Sequence, residues 1–305
     1  MKTFQDNFIT ALQLPFLFIK KFYFWHKTNK GSLPGKEFAK YGFSLAKKLV
    51  LKGNFSPKLL FNPVSIVRYF EFEYVHKNLS VKKNEKILDV SSPYLFGFYI
   101  ANKHSVDYNY INPDKEDLTN VLSLSKRISF KAKYSAEKID ALNLPFEDNF
   151  FNKVHSISVI EHIKDDGDSA VLKEMWRVLK PEGLLVLTFP VKKEYEVEYK
   201  YKDEYNQDVE RKSGKYFFQR IYDGQKIRER LLSSIDNFEI ISKEIFGSTN
   251  RDFYNEYKQR WIKYSYWETV KDPYYITKYF THYSDITDLA DIGVMGLTIK
   301  KINEY

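Results

Sequence analysis

The chain has 305 residues, 43% hydrophobic and 29% charged, which suits one large α/β domain with additions or two small domains. It holds no cysteine, which excludes disulfides, thiolate metal sites and a cysteine nucleophile and fits a reducing compartment, here read as the cytoplasm. The net charge of +8 comes without a long basic run, so charge alone does not assign a nucleic-acid, membrane or anionic-substrate partner.

Taken in chain order, "FITALQLPFLFIKKFYFW" (8–25) comes first. Gln13, Pro15 and Lys20-Lys21 break it, so it is too short to span a bilayer, and it lacks a small-residue cleavage site. It reads as a helix packed on the main domain. Peripheral contact with the inner face of a membrane stays open, with Lys20, Lys21, Lys27 and Lys30 near lipid phosphates. Residues 1–80 read as a helical N-terminal cap that ends in an amphipathic helix over 62–79.

From 86 the pattern alternates between strand and helix. "KILDV" (86–90), "SVDYNYIN" (105–112), "KVHSISVI" (153–160) and "GLLVLTFPV" (183–191) read as strands, with two more candidates at "ISFKAKYS" and "AEKIDAL" (128–142). "FGFYIANK", "PDKEDLTNVLSLS" and "DSAVLKEMWRVLK" read as helices between them. Such alternation implies an α/β fold with a mostly parallel sheet covered on both faces. Residues 192–215 read as a polar loop or lid, 223–235 as a helix and 238–247 as a strand. An aromatic helical insertion at 248–290 precedes a last strand at 293–302. The domain reading is thus a cap at 1–80 and an α/β domain at 81–305 with insertions at 192–215 and 248–290.

"DALNLPFEDNFFNKVHSISVIEHI" (140–163) and "VLKEMWRVLKPEGLLVLTFPV" (171–191) resemble the class I S-adenosylmethionine-dependent methyltransferases, of the branch acting on small molecules, lipids and sugars. The resemblance runs well over about 85–190. It implies a Rossmann-like, mostly parallel seven-stranded sheet with helices on both faces, and S-adenosylmethionine as cofactor. Asp89, ending the first strand, then orients the cofactor's amino-acid end, directly or through the loop. Asp140 receives the adenine amino group, the backbone of Ala141 and Leu142 contacts the ring, and Ser158 to His162 lie where the methyl group meets the acceptor.

Two places depart from the family pattern. Ser91, Pro93 and Leu95 stand where the cofactor loop usually has glycines, and Gly97 comes too late to replace the first. Glycine permits positive φ and close backbone approach, whereas proline fixes φ and removes a donor. Ser91 and Ser92 can offer hydroxyl and N–H groups instead. Asp89, Asp140 and the "EHI" segment are all present, which favours a variant binding loop over a decayed one. At the second strand, Tyr110 occupies the position of the acid that holds the ribose, leaving Asn112, Asp114 or Asp107 for that work.

Methyl transfer to a hydroxyl needs a base, and His162 beside Glu161 is the best placed candidate. An equally weighted reading has this pair holding the loop or capping the next helix. His104 and His155 lie in or beside strands and read as structural. No histidine pair has zinc spacing, and the Asp165-Asp166 pair reads as solvated, so no metal is expected. The leading reading is O-methylation of a small-molecule, lipid-linked or glycan acceptor. A non-catalytic cofactor-binding or membrane-associated protein comes second. An RNA methyltransferase comes third, because only charge speaks for nucleic acid.

Overall fold

The computed structural model describes residues 13–204 and 214–303. The chain forms two compact units, one of residues 1–73 and 248–281, the other of 74–247 and 282–305. The first opens with α1 (Leu14–Lys27), α2 (Lys36–Leu51) and α3 (Pro57–Phe61). Pro57 suits a first helical position, and the Ser56 hydroxyl accepts from Leu59 N to cap the helix. α4 starts at Arg68, later than the pattern over 62–79 suggested, because residues 62–67 form turns; it runs to Leu79 and carries the chain into the second unit.

The second unit is built on an eight-stranded sheet. In chain order come β1 (Lys86–Val90), α5 (Tyr94–Lys103), β2 (Asp107–Ile111), α6 (Lys115–Ser125), β3 (Lys133–Glu137), β4 (Phe151–Ile157), α7 (Gly167–Val178) and β5 (Leu179–Val191). A hairpin of β6 (Glu196–Lys200) and β7 (Tyr216–Ile221) forms a separate two-stranded sheet. There follow α8 (Gly224–Lys226), β8 (Phe238–Ser248), β9 (Phe280–Tyr283) and β10 (Gly293–Lys301). The strand order is β3-β2-β1-β4-β5-β10-β8-β9. β1 to β5 are parallel, and β10 is antiparallel to both β5 and β8. The seven strands expected are present, and β9 adds an eighth at the edge.

Several local readings change. Only β3 forms across 128–142. The segment 192–215 is not simply a loop, since it contributes β6. The helix expected over 223–235 is irregular, passing from α8 into a π-helical turn at Ile227–Leu231 and a 3-10 turn at Leu232–Ser234. α5 is buried from Leu95 to Ala101, as a helix apolar on all sides should be. Leu88, Val154, Leu185 and Leu187 form the core of the sheet with Met175 and Val171 of α7.

The rest of the first unit is helical: α9 (Phe253–Tyr264), α10 (Tyr266–Thr269) and α11 (Asp272–Tyr279). Leu17, Phe61 and Val270 form a small core there. Buried Glu268 is held by Arg260 at 2.8 Å, Lys271 at 2.5 Å and the Tyr275 hydroxyl at 2.8 Å.

Candidate active site

β1 and β4 lie side by side at the centre of the sheet, with β2 and β3 beyond one and β5 beyond the other. The strand order reverses between them, and open α/β sheets bind ligands at the carboxyl ends of the strands at such a point. The carboxyl ends here are Asp89–Ser92, Tyr110–Asp114 and Ser158–His162, all in the second unit.

Beneath the first of these ends lies a closed circuit of four buried polar residues. The Tyr108 hydroxyl donates to Asp89 Oδ2 at 2.7 Å, and Ser92 N donates to Asp89 Oδ1 at 3.0 Å. His155 Nε2 is 3.0 Å from the Tyr108 oxygen and Nδ1 is 3.2 Å from Ser92 Oγ. The Tyr108 hydroxyl hydrogen is engaged with Asp89, so Nε2 must be the donor to the Tyr108 oxygen and Nδ1 the acceptor from Ser92. Ser92 Oγ in turn accepts from Ile157 N at 3.2 Å. One proton arrangement satisfies every member with His155 neutral. Burial lowers the His155 pKa, with Asp89 opposing, in agreement with that assignment. Tyr108 stays protonated because burial and the Asp89 charge raise its pKa well above the usual value.

This circuit explains a loop without glycine. Ser91 has φ 54°, the left-handed conformation that glycine adopts without cost. Its N–H and hydroxyl both donate to the Ile111 carbonyl, at 2.9 and 3.1 Å. Side-chain hydrogen bonds therefore hold the backbone shape that glycine would otherwise permit. Ser158, at the end of β4, has φ 47° and its N–H donates to Thr188 O.

The expected site residues fall into three groups. Asp89 and Ser92 are buried; Asp89 accepts from Ser92 N, and the Ser92 hydroxyl is engaged with His155 and Ile157 N. Gly97 lies inside buried α5, where an added Cβ would meet the Tyr108 ring and hydroxyl at 3.0 Å and Asp89 Oδ2 at 3.2 Å. It lets the helix approach the sheet and is not in a ligand-facing loop. At the end of β2, Asn112 donates to the Tyr110 hydroxyl at 2.9 Å and accepts from Asp114 N at 2.8 Å. Asp114 caps α6 by accepting from Asp117 N at 2.7 Å, and Asp107 lies 3.5 Å from Lys133. These side chains are engaged locally.

Asp140 is exposed on its loop, accepting from Leu142 N at 3.0 Å through Oδ1. Ala141 is buried and Leu142 is exposed. The loop is fixed from α7: Glu174 accepts from Leu144 N at 3.0 Å, and Arg177 donates to the Leu144 and Phe146 carbonyls at 2.9 and 2.8 Å. Exposed Asp140 and the glycine-like backbone at Ser91 fit the adenine and amino-acid ends of the family's cofactor.

Glu161 and His162 lie in one 3-10 turn, Ile160–His162, after β4. His162 Nδ1 is 2.8 Å from the Phe218 carbonyl oxygen of β7. A carbonyl only accepts, so Nδ1 carries a hydrogen and Nε2 is the basic nitrogen of the neutral ring. Nε2 lies 3.7 Å from Glu161 Oε1. The turn is anchored beyond His162 by a second buried cluster. Asp168 accepts from the Tyr222 hydroxyl at 2.8 Å and from Arg230 at 2.8 and 2.9 Å, with Arg220 Nε at 3.7 Å. Arg220 also donates to the Ile163 and Asp165 carbonyls. Among the described residues no cluster of metal-ligating side chains occurs.

Residues 99–187 match the family described as "Methyltransferase domain", and they span β2, β3, β4 and most of β5, with β4 being one of the two strands at the switch point. Over these residues the chain is similar to methyltransferase domains. The domain match starts within α5, past β1 and the glycine-free loop, and so later than the 85 expected. The chain is 29% identical over 89 residues to norajmaline N-methyltransferase of Rauvolfia serpentina, covering 29% of this chain and 30% of that one. An uncharacterized protein of Methanocaldococcus jannaschii is 33% identical over 135 residues, 44% of this chain and 50% of that one. The chain thus aligns with half or less of the length of these curated relatives. Phosphoethanolamine N-methyltransferase 2 of Haemonchus contortus, solved in complex with S-adenosyl-L-methionine, superposes with a TM-score of 0.49 at 14% identity, over 86% of this chain and 57% of that one.

Proposed function

We propose that this protein transfers a methyl group from S-adenosylmethionine to a hydroxyl of a small-molecule, lipid-linked or sugar acceptor. The observation that carries the reading is the methyltransferase domain match, which spans β2, β3, β4 and most of β5, the parallel strands on either side of β1. When bound, the cofactor supplies an electrophilic methyl carbon on a sulfonium. Asp140 accepts from the adenine amino group, with the Ala141 and Leu142 backbone against the ring. The 91–94 loop, held by Asp89 and Ser92, receives the amino-acid end.

His162 Nε2 would take the acceptor's hydroxyl proton, while the new oxygen–methyl bond would replace the methyl–sulfonium bond of the cofactor and leave a neutral thioether. The Phe218 carbonyl fixes the ring's orientation, and the Glu161 carboxylate stabilises the imidazolium that forms. Calorimetric titration with S-adenosylmethionine tests the reading. Binding is expected, and Asp140→Ala should weaken it by roughly 1–3 kcal/mol. Heat-silent titration at millimolar cofactor, with no shift of the melting temperature, would refute it.

A further inference from the structure

The exposed apolar surface and the excess positive charge of this molecule are concentrated in the same unit. Residues 1–73 and 248–281 hold 18 Lys and Arg against 8 Asp and Glu, a formal +10. The remaining residues hold 30 against 32, a formal −2, so the whole net charge of +8 originates in the helical unit. Of the 14 large hydrophobic side chains exposed among the described residues, nine belong to that unit, about a third of the chain.

Four of the nine lie on one face of α1: Phe16, Ile19, Phe22 and Tyr23, exposed by 65, 66, 69 and 51%. Their spacing of three, three and one residues sets them in a single stripe. The other side of α1 is packed: Leu17 is fully buried, Phe18 meets Phe61 and Trp25 meets Phe43. Lys20 and Lys21 belong to that inner side rather than to a lipid-facing one. Lys20 Nζ donates to the Trp267 carbonyl at 2.6 Å and Lys21 Nζ to the Leu60 carbonyl at 2.5 Å. Burial pulls the Lys21 pKa down to about 8, with Lys47 adding to it. Lys27 and Lys30 are exposed at the end of the stripe. No described helix is long and apolar enough to cross a membrane.

One side of α1 is packed against protein, and the exposed stripe on its other side is the kind of apolar helix face that enters a membrane interface. We propose that the helical unit docks on an anionic bilayer surface, with Phe16, Ile19, Phe22 and Tyr23 entering the interface and Lys27 and Lys30 meeting lipid phosphates. An aliphatic and aromatic stripe suits acyl chains better than nucleic-acid backbone. The surplus of +10 in the same unit suits an anionic headgroup layer.

The test is co-sedimentation of the full chain with vesicles of phosphatidylcholine alone and with phosphatidylglycerol added. Binding is expected to the anionic vesicles and to weaken as salt rises above about 0.1 M. Phe16→Ser with Phe22→Ser should reduce partitioning by about tenfold or more with an unchanged melting curve. Lys27→Glu with Lys30→Glu should do the same on anionic vesicles only. Phe16→Trp, which keeps the stripe apolar, should show blue-shifted emission on vesicle addition. The proposal is overturned if the wild type stays in the supernatant, or if neither double variant alters its binding. It is equally overturned if the stripe proves to mediate self-association or RNA binding, in sedimentation velocity or mobility-shift assays, while vesicles are ignored. Cofactor titration is independent of all these readouts.

Discussion

Tyr108→Phe removes one oxygen atom from the closed circuit under the loop. That oxygen donates to Asp89 Oδ2 at 2.7 Å and faces His155 Nε2 at 3.0 Å. Asp89, Tyr108 and His155 are all fully buried, so water cannot replace the lost partner. A hydrogen bond to a charged group contributes roughly 1.5–3 kcal/mol, and stranding the His155 donor adds roughly 1–3 kcal/mol. The expected loss is about 3–5 kcal/mol, on the order of 10 °C in melting temperature for a unit of this size. Tyr134 is the internal control. Its ring stacks on Tyr108 with centroids 5.8 Å apart, yet its buried hydroxyl has no hydrogen-bond partner among the described residues. Tyr134→Phe should therefore be neutral or stabilise by up to about 1 kcal/mol. Urea unfolding followed by circular dichroism measures both variants. The reasoning fails if Tyr108→Phe stays within about 0.5 kcal/mol of the wild type, or if the two substitutions cost the same.

Gly97→Ala places a methyl group against the Tyr108 hydroxyl and Asp89, which cannot retreat without breaking their hydrogen bond, so a loss of about 1–3 kcal/mol in the same unfolding assay is expected. His162→Ala should lower turnover by roughly 10²–10⁴-fold on a hydroxyl acceptor, with His162→Gln nearly as impaired and cofactor affinity unchanged in both; normal turnover would make His162 structural. His155 is neutral in the fold because burial lowers its pKa, so protons bind preferentially to the unfolded chain as pH falls below the model value of 6.5. Its contribution to stability should thus be intact above about pH 7 and decline toward pH 5, and the decline should be absent in His155→Gln when unfolding midpoints are compared across that range.

The alternation of strand and helix from 86 to 191 was legible because buried strands and amphipathic helices leave distinct periodicities. Asp140 and His162 are expected in the site from their places beside "LPF" and at the end of the fourth strand, and the structure sets Asp140 exposed on its loop and His162 in the turn after β4. The circuit under the loop was not. Its members are spread from Asp89 to His155, and only the register that sets Asp89 between Tyr110 and His155 brings them together. A tyrosine at a core-facing position of β2 was the available signal, since a buried hydroxyl needs a partner. The Phe218 carbonyl that orients His162 carries no sequence signal, being backbone brought in by a hairpin. β6 was hidden because three of its five residues, Glu196, Glu198 and Lys200, are charged and none of the five is buried.

The single donor-and-acceptor arrangement of the four-residue circuit bears on how this loop can change over evolutionary time. Introducing a glycine-rich loop alone would remove the Ser92 hydroxyl and strand His155 Nδ1 and Ile157 N–H in a dry interior. Replacing His155 alone would strand Ser92 and Tyr108. Any path between this loop and a glycine-rich one therefore crosses less stable intermediates unless several positions change together. Ser92, Tyr108 and His155 should covary as a set among descendants of this chain, and a loop transplant should succeed only when all three travel with it.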